Sequence, residues 1–118
     1  MIDESSLAEL RSAMLTGVTI GIGSQILLFG NGVTILVQCP FKCKGENGDR
    51  WGHGEDLFAV ELIFEFLNHS VNNVSFDKDG VLFLDFGSVG SISVVPEFNG
   101  LESYVLSTRL GIYPVLVF

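Results

Sequence analysis

Basic residues are scarce in this sequence. Six Lys and Arg stand against fourteen Asp and Glu in 118 residues, a formal net charge of −8. A nucleic-acid binder needs the opposite balance, because its affinity comes from cations laid against phosphates. An acidic surface instead favours solubility and fast capture of a basic partner. Long apolar runs are also missing. None reaches the ~18 residues that a membrane-spanning helix needs, and the best candidate, Phe58–Leu67, is interrupted by Glu61 and Glu65. The start, Met1-Ile2-Asp3-Glu4, is acidic where a secretory signal is basic. The expectation is a cytoplasmic protein without a membrane partner, its thiols reduced.

Catalytic and cofactor signatures are equally thin. There is no Gly-x-Ser-x-Gly elbow. Gly21-Ile22-Gly23 lacks the third glycine of a dinucleotide fingerprint. Asp77-Lys78-Asp79-Gly80 lacks the later ligands of a calcium loop and reads better as a hairpin turn. Cys39 and Cys43, with His53 further on, make half of a zinc site at most. His69, the other imidazole, follows a predicted helix and reads as a capping or surface residue. No catalytic residue, metal or cofactor is expected.

What the chain does have is core. Leu, Ile, Val and Phe make up 46 of the 118 residues, well above the ~20% that marks disordered chains. At this length about two-thirds of the unfolded surface is buried on folding, enough for one domain over 1–118.

The N-terminus predicts a short helix. Ser6 is placed to cap it with Glu9 three residues on, Leu7, Leu10 and Met14 recur at helical spacing, and Gly17 is placed to end it. A β meander follows as Val18–Ile22, Gln25–Phe29 and Val33–Gln38, with Asn31-Gly32 as a type I′ hairpin signal. The glycine-rich stretch Cys39–Gly54 predicts an irregular loop, of a length that usually binds something or is disordered. Glu55–Leu67 holds no Gly or Pro and exceeds the usual strand length, so helix is predicted there. Strands are predicted at Val71–Phe76, Val81–Phe86, Ser91–Val95, Ser103–Thr108 and Pro114–Phe118. The sum is an α+β domain of about eight antiparallel strands with two helices.

Part of the second half resembles a known family. The residues are Asp79-Gly80-Val81-Leu82-Phe83-Leu84-Asp85-Phe86, then Ile92-Ser93-Val94-Val95-Pro96, then Leu101-Glu102-Ser103-Tyr104-Val105-Leu106. A Gly-Leu-x-Leu-x-Phe type strand, a hairpin, a strand ending in Pro and a Glu-x-aromatic strand are similar to small bacterial immunity proteins of contact-dependent growth inhibition and other polymorphic toxin systems. The likeness covers Leu57–Leu106, and Tyr104 stands where the family often has Trp. It implies a non-enzymatic inhibitor that binds a toxin domain, often a nuclease with a basic cleft. One core's worth of apolar residues separately predicts a monomer or weak dimer. The segment Cys39–Gly54 has no counterpart in it.

Toxin-binding residues are expected among the acids and the lone tryptophan. Glu46, Asp49, Glu55 and Asp56 lie within eleven residues around Trp51, Asp77 and Asp79 occupy a predicted turn, and Glu97 and Glu102 flank Asn99-Gly100. In a charged loop Trp51 is either an anchor that packs the loop down or an interface hot spot. The competing reading is a structural subunit that contributes strands to a larger assembly, and a small-ligand binder would need a deep pocket with convergent polar groups.

Overall fold

The chain alternates buried and more exposed positions over 24–29, 33–43, 81–86 and 92–97, and that period of two builds sheets. The computed structural model describes residues 2–118. Ten strands form two antiparallel sheets: β1 (Leu15–Gly21), β2 (Ser24–Phe29), β3 (Thr34–Val37), β4 (Pro40–Gly45), β5 (Gly48–His53), β6 (Asn73–Phe76), β7 (Leu82–Asp85), β8 (Ser91–Val94), β9 (Glu102–Thr108) and β10 (Gly111–Leu116). Sheet I has the order β1-β2-β3-β9-β10 and sheet II the order β5-β4-β8-β7-β6. Among the described residues, helical structure is confined to α1 (Glu4–Ala8) and to 3₁₀ segments at Leu57–Phe66 and Gly87–Val89. The α+β class therefore holds, with more strand and less helix than the sequence predicts. None of the helices among the described residues is long and apolar enough to cross a membrane.

The two sheets are joined by strands that cross together. β3 pairs with β9 down to Val37 opposite Tyr104, and β4 pairs with β8 from Phe41 opposite Val94. Between these ladders the Gln38 N–H donates to the Ser103 carbonyl and the Val95 N–H donates to the Pro40 carbonyl, each at 2.9 Å. One chain turns the corner directly at Gln38-Cys39. The other makes an excursion over residues 96–101, where the Glu97 N–H is held by the Ser103 hydroxyl at 3.1 Å.

Directly opposed residues share a face. The inner face of sheet I carries Leu27, Ile35 and Leu106, then Gln25, Val37, Tyr104 and Val115. That of sheet II carries Phe41, Val94 and Leu82, then Cys43, Ile92, Leu84 and Val74. All of these are buried. The Tyr104 hydroxyl donates to the Gly80 carbonyl at 2.6 Å, which satisfies the one polar atom of a fully buried ring. The 3₁₀ segment Leu57–Phe66 packs on β1, β4 and β5, sending Ile63 and Phe66 into the core, where Phe66 meets Phe86 at 5.1 Å between ring centroids. The buried amide of Gln25 donates to the Asp56 carbonyl at 2.7 Å and ties that segment to β2.

Local expectations need correction at six places. Asp3, not Ser6, caps α1, its carboxylate accepting the Ser6 N–H at 3.0 Å. The helix ends at Ala8, and Gly17 lies inside β1, which already begins at Leu15. At Asn31-Gly32 only Gly32 has a positive φ, so the turn is not type I′. Glu55–Leu67 is helical over Leu57–Phe66 but as a 3₁₀ run. Two consecutive apolar positions, Ala59 and Val60, are buried there with Ile63 and Phe66, so tertiary packing sets its winding. Cys39–Gly54 is not a loop but the hairpin β4–β5. β10 also starts earlier than predicted, at Gly111.

Gly54 carries a prediction. A methyl group there would strike the Val37 carbonyl, because the chain leaving β5 passes over the corner between the sheets. Gly54→Ala should cost about 2 kcal/mol or more. Gly48, at φ +84 in open space, should cost only about 1 kcal/mol as alanine. Urea unfolding of the two variants checks the order.

Candidate protein-binding site

The β4–β5 hairpin builds the centre of the site. In β4, Phe41 and Cys43 point inward and Lys42 and Lys44 outward. β5 is an edge strand whose first four residues are exposed. Register places one outward row across sheet II: Trp51 opposite Lys42, then Ser93, Phe83 and Ser75. Trp51 is 59% exposed, so it does not pack a loop down onto the core. Lys42 lies over its ring, with the ammonium 5.8 Å from the ring centroid, and also pairs with Asp49 at 3.1 Å. Phe83, 37% exposed, is the second aromatic of the row.

The nine expected binding residues do not form one cluster. Glu46 and Asp49 lie at the hairpin-tip end of β5, and Asp49 is already paired with Lys42. Glu55 and Asp56 lie past the other end of β5. There His53 gathers two acids: Glu97 Oε1 stands 3.5 Å from Nε2 and Glu55 Oε1 stands 3.7 Å from Nδ1. The Glu55 N–H donates to Nδ1 at 3.1 Å, which leaves Nε2 as the ring donor facing Glu97. Asp56 caps the 3₁₀ segment by accepting the Phe58 N–H at 3.1 Å. Asp77 and Asp79 sit at the β6–β7 turn on the far edge of sheet II, three to four strand spacings from β5, or roughly 14–19 Å. Asp77 accepts the N–H groups of Asp79 and Val81, both at 2.9 Å, and so builds that turn. Glu102 opens β9 on sheet I, opposite Leu116. Acids thus stand at both ends of β5 and at the far edge of sheet II, while Asp56 is tied to Gln25 of sheet I and Glu102 stands apart. The aromatic row runs through the middle.

Two members of the row escaped the sequence reading. Lys42 was findable, since Phe41-Lys42-Cys43-Lys44 alternates and Asn47-Gly48 is a turn signal. Phe83 was masked because the run Val81–Phe86 is apolar at both parities, which hides the outward face.

Other groups offer little reactivity. Cys39 and Cys43 are both free and buried. Burial pushes the Cys39 thiol up to about 12, with the Glu97 charge adding to it. Burial and the Glu65 charge push Cys43 to about 12 as well. At neutral pH both are protonated and shielded, the opposite of a nucleophile or a metal ligand. Burial also raises the Tyr104 phenol, with smaller contributions from Cys39 and Asp77. Among the described residues no three of His, Cys, Asp and Glu are arranged to hold a metal ion. An open groove of about 590 Å³ lies between Lys44, Glu46, Glu65 and Ser88, lined by neither histidine nor cysteine.

No family model matches this chain, and no curated protein and no solved structure matches it.

The thiols set a pH dependence. In the unfolded chain they ionise near their ordinary pKa of ~8.5, in the native state only near 12. Their contribution is complete below the unfolded value and is lost as pH rises toward 12. Between pH ~9 and ~10 stability should fall by about 1 kcal/mol per pH unit for each thiol. Urea midpoints for the wild type and for Cys39→Ala/Cys43→Ala check this, with the shallower slope expected in the double variant.

Proposed function

We propose that this protein is a non-enzymatic, cytoplasmic inhibitor of the immunity type, which binds a basic toxin domain and occludes its active site. The observation that carries the reading is the outer face of sheet II, where exposed Trp51 and Phe83 share one row framed by acids. An aromatic centre with a charged rim is the composition of a protein interface. The net charge of −8 supports a basic partner such as a nuclease, whose phosphate-binding cleft an acidic surface would attract and fill. The sequence resemblance to immunity proteins of contact-dependent growth inhibition points the same way. The alternative, a structural subunit of a larger assembly, is favoured by a different surface, the uncharged outer face of sheet I.

The reading is tested through the reading frame directly upstream, which should encode an exported protein ending in a basic toxic domain. Co-expression should protect cells from that domain. Glu55→Lys/Asp56→Lys should slow association and flatten its salt dependence, because long-range attraction acts on encounter. Trp51→Ala should speed dissociation about tenfold or more, as hot-spot truncation does, while leaving the fold intact. Unchanged protection and kinetics in both variants would remove this face from the interaction.

A further inference from the structure

Strands covered on one side only normally alternate apolar and polar residues, while strands covered on both sides read as continuous apolar runs. β2 and β3 are of the second kind: Ile26-Leu27-Leu28-Phe29 and Ile35-Leu36-Val37. Sheet II covers only one of their faces. The outward row Thr19, Ile26, Leu36, Val105 and Pro114 and the row Gly17, Leu28, Thr34, Ser107 and Ile112 carry no charge in a protein with twenty charged side chains. Ile26, Leu28, Leu36 and Val105 are partly exposed and lie outside the core cluster, and Ile112 is 72% exposed. The 3₁₀ segment covers β1, β4 and β5 elsewhere.

We infer that the outer face of sheet I is a homodimer interface, occupied by the same face of a second copy. Charge selects that occupant. Two copies of a molecule with net charge −8 repel each other at most approaches, and this is the surface on which they meet without opposing like charges. A two-fold axis near Leu36, on the central strand β3, stacks aliphatic rows on aliphatic rows, which is the self-complementarity a closed dimer requires. The area also suffices. Five strands ~4.8 Å apart and about six residues long give roughly 480 Å² in projection. Side-chain relief brings that to the ~600 Å² per partner at the lower end of stable interfaces. Sheets packed ~10 Å apart would leave Trp51 and the acids of sheet II facing away on both copies.

Sedimentation equilibrium of the full chain across a wide concentration range tests this. The expected result is a dimer whose dissociation constant falls as salt is raised, because screening relieves the repulsion between copies. Leu36→Glu should raise that constant about tenfold or more. Circular dichroism confirms that the variant folds. Should it not, the milder Leu36→Thr, which places a β-branched strand former there, should still weaken the dimer several-fold. Trp51→Ala should leave dimerisation unchanged, which separates this interface from the proposed toxin-binding face. A monomer at every concentration would overturn the inference. So would a dimer indifferent to both Leu36 variants, or one broken by Trp51→Ala.

Discussion

The corner at Gln38-Cys39 is the constraint on which the molecule depends. Two paired strands must leave sheet I together and enter sheet II together, and the hydrogen bonds from Gln38 to Ser103 and from Val95 to Pro40 keep the ladder nearly continuous through the turn. Since the bend folds one ribbon back on itself, β3 with β9 and β4 with β8 bring the inner faces of the two sheets together, and Tyr104, Cys39 and Phe41 pack within it. The surroundings adapt to it. Gly54 has no side chain because the chain crosses the corner there. Ser103 turns its hydroxyl to hold the excursion through Glu97. That excursion delivers Glu97 to His53 and so shapes one rim of the candidate binding face.

A two-sheet molecule has two outer faces, and here they differ in chemistry. Sheet II presents Trp51, Lys42, Ser93 and Phe83 with acids around them. Sheet I presents aliphatic residues without charge. Acidic and aromatic surface suits a partner of opposite charge and an association that salt weakens. Uncharged aliphatic surface suits an association that salt leaves alone or strengthens. The separation would let one small chain hold the two proposed contacts at once without competition between them.

Much of this was legible in the sequence where one physical pattern dominated. The short apolar run of Gln25–Phe29 located β2, the alternations of Ser91–Val95 and Ser103–Thr108 located β8 and β9, and Asp77-Lys78-Asp79-Gly80 marked a real turn built by its own aspartate. Legibility failed where two signals conflicted. Gly45, Gly48, Gly52 and Gly54 outweighed the alternation of Phe41 to Lys44, so a hairpin read as a loop. Yet those glycines serve the turn and the close approach of neighbouring chains. The acids near Trp51 looked clustered in sequence, but an extended strand carries them to opposite ends of β5. Trp51 stood out as the one tryptophan, and the structure shows it exposed, while its neighbours Lys42 and Phe83 depend on cross-strand register, which no local window contains. The outward apolar row through Leu36 was hidden for the same reason.

The central claim is that the free molecule keeps its aromatic, acid-framed face open while its aliphatic face is closed. Paramagnetic relaxation by a neutral soluble probe, read by NMR on side-chain signals at high protein concentration, tests both halves in one experiment. The account predicts strong relaxation of the Trp51 indole and the Phe83 ring, with the methyl groups of Ile26, Leu28, Leu36 and Val105 protected beyond what one copy alone provides. Strong relaxation of those methyl groups, or a Trp51 indole hidden from the probe, would contradict it.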